Sequence, residues 1–238
     1  MVQYQKKLGG SGMQYEIKGG AFPVVVMAVA PGETILTESG GMSWMSANMK
    51  MDTNMKGGLF KGLGRAMAGE SVFLNTFTAE GGTGMLACAS SFPGSIIAME
   101  LGPADAIIAQ KSAFLCGSGT LSLSVHLKRS FGVSMFGGEG FVMEKIAGPG
   151  TVFLEIDGSV EKYRLAPGQT YMANNGNLAA YTPETTVALE TVKGMKNIFF
   201  GGEGLFHVRL TGPGEIYLQT LTAQNVAKSI LPFLPKSN

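Results

Sequence analysis

The sequence predicts an all-β fold in which one small unit occurs three times in tandem. Three observations carry this: short apolar runs with period-two alternation, an excess of glycine at their ends, and markers that recur at a fixed spacing. Alternation puts successive side chains on opposite faces of a strand, as in Thr151-Val-Phe-Leu-Glu-Ile156 and Glu215-Ile-Tyr-Leu-Gln-Thr220. Glycine accounts for 35 of 238 residues, about twice its usual share of roughly 7%. It has no three-residue period, so it marks turns rather than a collagen helix. The pairs Gly57-Gly58, Gly81-Gly82, Gly137-Gly138 and Gly201-Gly202 suit tight turns that need positive φ, and the reading is a hairpin-rich unit.

Taken in order, residues 1–12 carry no apolar core of a signal peptide and read as a flexible extension, with Met13 opening the folded part. The run Ala21 to Ala30 is interrupted by Pro23 and is far short of the roughly 20 residues a membrane helix needs. Pro31-Gly32, Pro103 and Pro167-Gly168 each precede a strand, and they set three copies at about 13–100, 101–164 and 165–222. Phe136-Gly-Gly-Glu-Gly140 returns 64 residues later as Phe200-Gly-Gly-Glu-Gly204, and Gly148-Pro149-Gly150 returns at the same offset as Gly212-Pro213-Gly214. In the diverged first copy, Gly69-Glu70-Ser71 matches the Gly-Glu turn, and Phe92-Pro93-Gly94 stands for Gly-Pro-Gly. The one helix candidate is Ala223 to Leu231 in the tail 223–238, capped by Thr222 and stopped by Pro232. A unit of about 65 residues has a thin core and open sheet edges. Three such units are expected to cover one another as sandwich- or barrel-like repeats with pseudo-threefold symmetry in a single compact body.

The stretches MQYEIKGGAFPVVV (13–26), GGMSWMS (40–46), GGLFKGLGRAMAGESVFLN (57–75), SSFPGSI (90–96), QKSAFL (110–115), FGGEGFVMEKIAGPGTVFLEIDG (136–158) and FGGEGLFHVRLTGPG (200–214) resemble the altered inheritance of mitochondria 24 family. The resemblance covers nearly all of 13–238 and suggests a bacterial member, a group that is mostly uncharacterised. It implies tandem β-sandwich units resembling the fold of the tryptophan RNA-binding attenuator protein. For the mitochondrial members it implies a link to inner-membrane organisation. It supplies no catalytic residue.

Chemistry-bearing residues are sparse. His126 and His207 are the only histidines, and neither has Cys or carboxylate neighbours at metal-ligand spacing. Cys88 and Cys116 lie in apolar segments and read as buried thiols. Gly82-Thr83-Gly84 followed by Ala87 fits a dinucleotide fingerprint formally, but it opens no helix and reads as a hairpin turn. Asn174, Asn175 and Asn177 read as a turn. Glu70, Glu139 and Glu203 recur because a turn recurs, with convergence on a shared cation as the sharper alternative. No catalytic residue, cofactor motif or metal-ligand set follows, and a non-enzymatic protein is expected.

A net charge of +1 gives no global attraction to polyanions, so any such surface must be local. The connection ahead of each Gly-Glu turn is the candidate. The first holds Lys50, Lys56, Lys61 and Arg65 against Asp52 alone, within a stretch carrying six of the fifteen methionines. The second holds Lys128 and Arg129, the third Lys193 and Lys196. Basic residues among flexible apolar ones suit an anionic membrane or a protein partner. The expectation is therefore a binding or scaffold protein, cytoplasmic and peripheral to a membrane, with Lys56, Lys61, Arg65, Lys128, Arg129, Lys193 and Lys196 as its surface. Nucleic-acid binding, on fold analogy, and a small-ligand site between copies are the alternatives. Homo-oligomerisation stays open.

Overall fold

The computed structural model describes residues 5–7, 12–52, 74–129, 141–191 and 206–233. Within them the chain is almost entirely antiparallel β-structure with one short C-terminal helix. Strand β1 (Gln5–Lys7) pairs with β2 (Gln14–Lys18), so part of the expected extension is an edge strand. The first set of six strands then runs β3 (Val24–Val29), β4 (Thr34–Glu38), β5 (Trp44–Met45), β6 (Met49–Asp52), β7 (Leu74–Ala79) and β8 (Gly84–Ala89). The second runs β9 (Gly94–Leu101), β10 (Ala106–Gln110), β11 (Phe114–Ser118), β12 (Ser122–Arg129), β13 (Phe141–Ala147) and β14 (Gly150–Asp157). The third runs β15 (Val160–Leu165), β16 (Thr170–Asn174), β17 (Leu178–Tyr181), β18 (Thr186–Thr191), β19 (Phe206–Thr211) and β20 (Gly214–Gln219).

Every set pairs in the same way. Its sixth strand lies between the first and the third, and its fifth between the second and the fourth. The sets are joined because the second strand of one pairs with the third strand of the next, β4 with β11 and β10 with β17. Four sheets result. The first is β1-β2-β3-β8-β5, the second β6-β7-β4-β11-β14-β9, the third β12-β13-β10-β17-β20-β15, and the fourth β16-β19-β18.

Burial follows from the layering. Apolar clusters lie between the first and second sheets (Val25, Met27, Phe77, Phe153), the second and third (Leu36, Leu154, Ile107, Ile146), and the third and fourth (Ile108, Met143, Val208, Leu210). The second and third sheets are therefore covered on both faces. This is why β14 reads as an unbroken buried run from Thr151 to Ile156, while the outer strands β3 and β19 alternate.

One expectation is corrected here. Most turns are not hairpins. The turn at Gly81-Gly82 joins β7 of the second sheet to β8 of the first, and the Gly-Pro-Gly turns likewise carry the chain from one layer to another. Gly150 and Gly214 sit at φ +148 and +136, in the region that favours glycine. A tight reversal has the same local chemistry whether the chain returns beside its own strand or to a facing layer. The strand-pairing equivalent of Gly-Pro-Gly in the first set is Glu80 to Thr83, leading into β8, and Pro93 instead links β8 to β9.

Some local rules hold residue by residue. In the turn from first to second strand, the backbone N–H of Ala30, Gly102 and Ala166 donates to the side chain of Glu33, Asp105 and Gln169, at 2.9, 2.8 and 2.9 Å. Helix α1 (Ala223–Ile230) starts where Thr222 Oγ1 accepts the N–H of Asn225 at 3.1 Å, an N-cap. It gives way at Leu231–Phe233, around Pro232.

Candidate functional site

In each set the connection from fourth to fifth strand joins neighbours in one sheet and is a true hairpin. The three basic connections occupy this position. Lys56, Lys61, Arg65, Lys193 and Lys196 lie outside the described residues, as do Glu70, Glu139 and Glu203. Lys128 and Arg129 end β12, opposite Val142 and Phe141, and Lys128 is exposed. The second connection re-enters the third sheet at Phe141, the third re-enters the fourth sheet near Phe206, and these two rings meet edge-to-face at 5.5 Å. Re-entry points of two connections are thus side by side. Lys50, counted as a local positive charge, pairs with Glu80 at 3.5 Å across the strand ends, and the exposed Met51 follows it.

The end of the second sheet remote from Asp52 and Leu74, which bound the first connection, holds a polar cleft of about 550 Å³ where the first and second sets join. Its walls carry Glu33 and Thr34 from one set and Glu100, Ser118, Thr120 and Thr151 from the other. Glu33 Oε2 accepts the N–H of Ala30 at 2.9 Å, and Glu100 Oε1 accepts the Thr151 hydroxyl at 3.0 Å. Thr120 donates to the carbonyl of Pro149 at 2.6 Å, and Ser118 Oγ accepts the N–H of Thr151 at 3.0 Å. These polar atoms hold strand ends together, which gives the cleft a structural role.

Further along β14, toward its other end, Glu155 is buried. Its carboxylate accepts from the Ser90 hydroxyl at 2.9 Å, the Ser91 N–H at 2.7 Å and the Ser91 hydroxyl at 3.0 Å. Burial and the charge of Glu155 push the nearby Asp157 up to about 6. Cys88 and Cys116 are free and buried. Burial raises the Cys116 thiol well above its ordinary value, with contact from Cys88 and the charge of Glu155 adding to it. A thiol so held is a poor nucleophile.

His126 is the extra residue of a bulge in β12 between Val125 and Leu127, and it is exposed. Partial burial and the Lys145 ammonium lower its pKa. His207 pairs in β19 with Asn174 and Glu190. Asn175 to Asn177 form a 3-10 turn in which Asn177 Nδ2 donates to the Gln219 carbonyl at 2.7 Å. Among the described residues no three His, Cys, Asp or Glu side chains converge as metal ligands do.

One set of contacts has no marker in the sequence. The hydroxyls of Ser46, Ser118 and Thr182 each accept the N–H of Met85, Thr151 or Glu215, at 2.9, 3.0 and 3.0 Å. The positions are equivalent, but the residues are two serines and a threonine facing three unlike partners.

A family model described as mitochondrial biogenesis AIM24 matches residues 15–221. An uncharacterised protein from Streptococcus pyogenes serotype M6 is 31% identical over 226 residues, covering 91% of this chain and 89% of that protein. An X-ray crystal structure of a Streptococcus pyogenes protein, a structural-genomics target, superposes with a TM-score of 0.78 at 28% identity, covering 93% of this chain and 100% of that one.

Proposed function

The chain belongs to the mitochondrial biogenesis AIM24 family, and on that premise we propose that it is a non-enzymatic binding module that holds an anionic membrane surface through its three basic hairpin connections. The observation that carries this reading is positional. Lys56, Lys61, Arg65, Lys128, Arg129, Lys193 and Lys196 all fall at the end of the fourth strand or between the fourth and fifth strands of their six-strand sets. The strands behind them belong to sheets that pack face to face, a frame suited to presenting loops. Lysines and arginines near a phospholipid surface contribute about 1 kcal/mol each, and several acting together give useful affinity where one does not.

The protein works in the cytoplasm, at the inner leaflet. No described helix is long and apolar enough to cross a membrane, which accords with attachment from one side. Co-sedimentation with vesicles of phosphatidylcholine, with and without phosphatidylglycerol, tests the reading. Pelleting is expected only with the anionic lipid, to weaken as salt rises, and to fall at least several-fold in a Lys56→Ala, Lys61→Ala, Arg65→Ala variant. Equal recovery with both vesicle types would sink it.

A further inference from the structure

We infer that the edge of β16 in one copy of this chain pairs with the edge of β5 in a second copy, so that the protein assembles head to tail through a sheet shared between chains. The inference rests on the two joints already built into the fold. At the first, Thr37 stands opposite Cys116, Leu36 opposite Gly117 and Ile35 opposite Ser118. At the second, Ala109 stands opposite Ala180 and Ile108 opposite Tyr181. Each joint puts the second strand of one set against the third strand of the next and completes a six-stranded sheet.

Among the described residues, one second strand and one third strand lack such a partner. They are β16, at the end of the fourth sheet, and β5, at the end of the first. Placed side by side, β18-β19-β16 and β5-β8-β3 reproduce the strand order of the second and third sheets. The register follows from the sixth strands. Trp44 faces Ala87, Cys116 faces Phe153, and Ala180 faces Tyr217, so Trp44 is the counterpart of Cys116 and Ala180. The same alignment sets Ala173 opposite Trp44 and Met172 opposite Met45.

Exposure separates the built joints from the open edges. Leu36, Ile108, Cys116 and Tyr181 are at most 2% exposed. Their counterparts are among the large apolar side chains most open to solvent: Met172 is 46% exposed, Trp44 48% and Met45 36%. An edge strand that presents apolar side chains and backbone donors is a template for another strand. The second and third sheets stand between the first and the fourth, so a second copy supplies the partner. Two copies that exchange both edges close a ring in which every β5 and every β16 is paired, and larger rings close in the same way.

Sedimentation equilibrium tests this directly. Wild-type protein is expected at a multiple of 24.9 kDa. Met45→Glu and Met172→Lys are each expected at the single-chain mass, with melting temperatures of the single chain intact, because both side chains lie at the surface. Mixing the two variants should restore assembly by placing Glu against Lys. A Met45→Cys, Met172→Cys protein, oxidised, should run as covalent multimers on a non-reducing gel. A wild-type mass of one chain at high micromolar concentration overturns the inference. So does assembly unchanged by either charge, or a disulfide that forms within one chain.

Discussion

Position for position, 64 residues apart, the second and third sets of strands share a backbone and differ in charge. Thr151 and Glu100 face each other across β14 and β9, and Glu215 and Arg164 do so across β20 and β15. In the second set, a hydroxyl donates to a carboxylate, and no lysine or arginine is among the residues that line the cleft. In the third, Glu215 takes Lys162 at 2.9 Å and Arg164 at 3.7 Å, which holds its carboxyl below the usual range. Further along, the Ser91 N–H donates to Glu155 and the Asp157 N–H to Gln219, one a carboxylate and the other an amide. The backbone of the unit constrains its turns and leaves its polar ends free to diverge. Specific chemistry is therefore to be sought where the sets differ.

The largest expected effect tests the shared backbone. A Cβ on Gly148 would collide with the carbonyl oxygen of Gly102, and one on Gly212 with that of Ala166. Neither neighbour is a side-chain end that can swing away. Gly148→Ala and Gly212→Ala should each cost about 1–3 kcal/mol, lowering the melting temperature by several degrees. Similar losses would support a common frame. A loss at only one glycine would break the comparison at its root.

The next effect belongs to the second set alone. Asp157 has no acidic counterpart, since Leu221 follows Gln219 at the matching place. Its folded pKa is raised from 3.8 to about 6. The fold thus resists its ionisation, and the stability present below about pH 4 is lost as pH rises through 6. Asp157→Asn should match wild type near pH 4 and exceed it at pH 7.5 by on the order of 1 kcal/mol, the figure being discounted because the carboxyl is about half exposed. Glu155→Gln, which imports the residue of the third set, should shrink that pH dependence by removing the neighbouring charge. Urea melts across this range read both.

How much of this was legible in the sequence follows the same division. Turn residues and strand alternation are local, so the proline-led turns, the α1 cap and the 64-residue spacing could be read from the chain itself. Layer exchange could not, because Gly81-Gly82 specifies a reversal and not which sheet receives β8. Nor could the joints: β4 and β11 meet across about 80 positions of chain, and neither strand names the other. The basic connections announced themselves by charge, but the pairing of Lys50 with Glu80 spans a 21-residue stretch outside the described residues. The clamps at Ser46, Ser118 and Thr182 went unseen because a hydroxyl is conserved in function across them while its surroundings are not.

The smallest effect would show that the charge difference is transferable. Glu100→Arg with Thr151→Glu writes the Arg164–Glu215 pair of the third set into the second. Thr151→Glu alone sets a second carboxylate beside Glu100 and should destabilise. Glu100→Arg alone removes the acceptor of the Thr151 hydroxyl and should also destabilise. Together, the new cation and carboxylate face each other at the same register as Arg164 and Glu215, and the cleft of about 550 Å³ gives the longer side chains room. A double-mutant cycle should return a favourable coupling of about 0.5–1 kcal/mol, reduced in half-molar salt because the site opens to solvent. Zero coupling at low salt would mean that the two sets differ in backbone near the cleft, and that the third set's ion pair depends on more than the two positions exchanged.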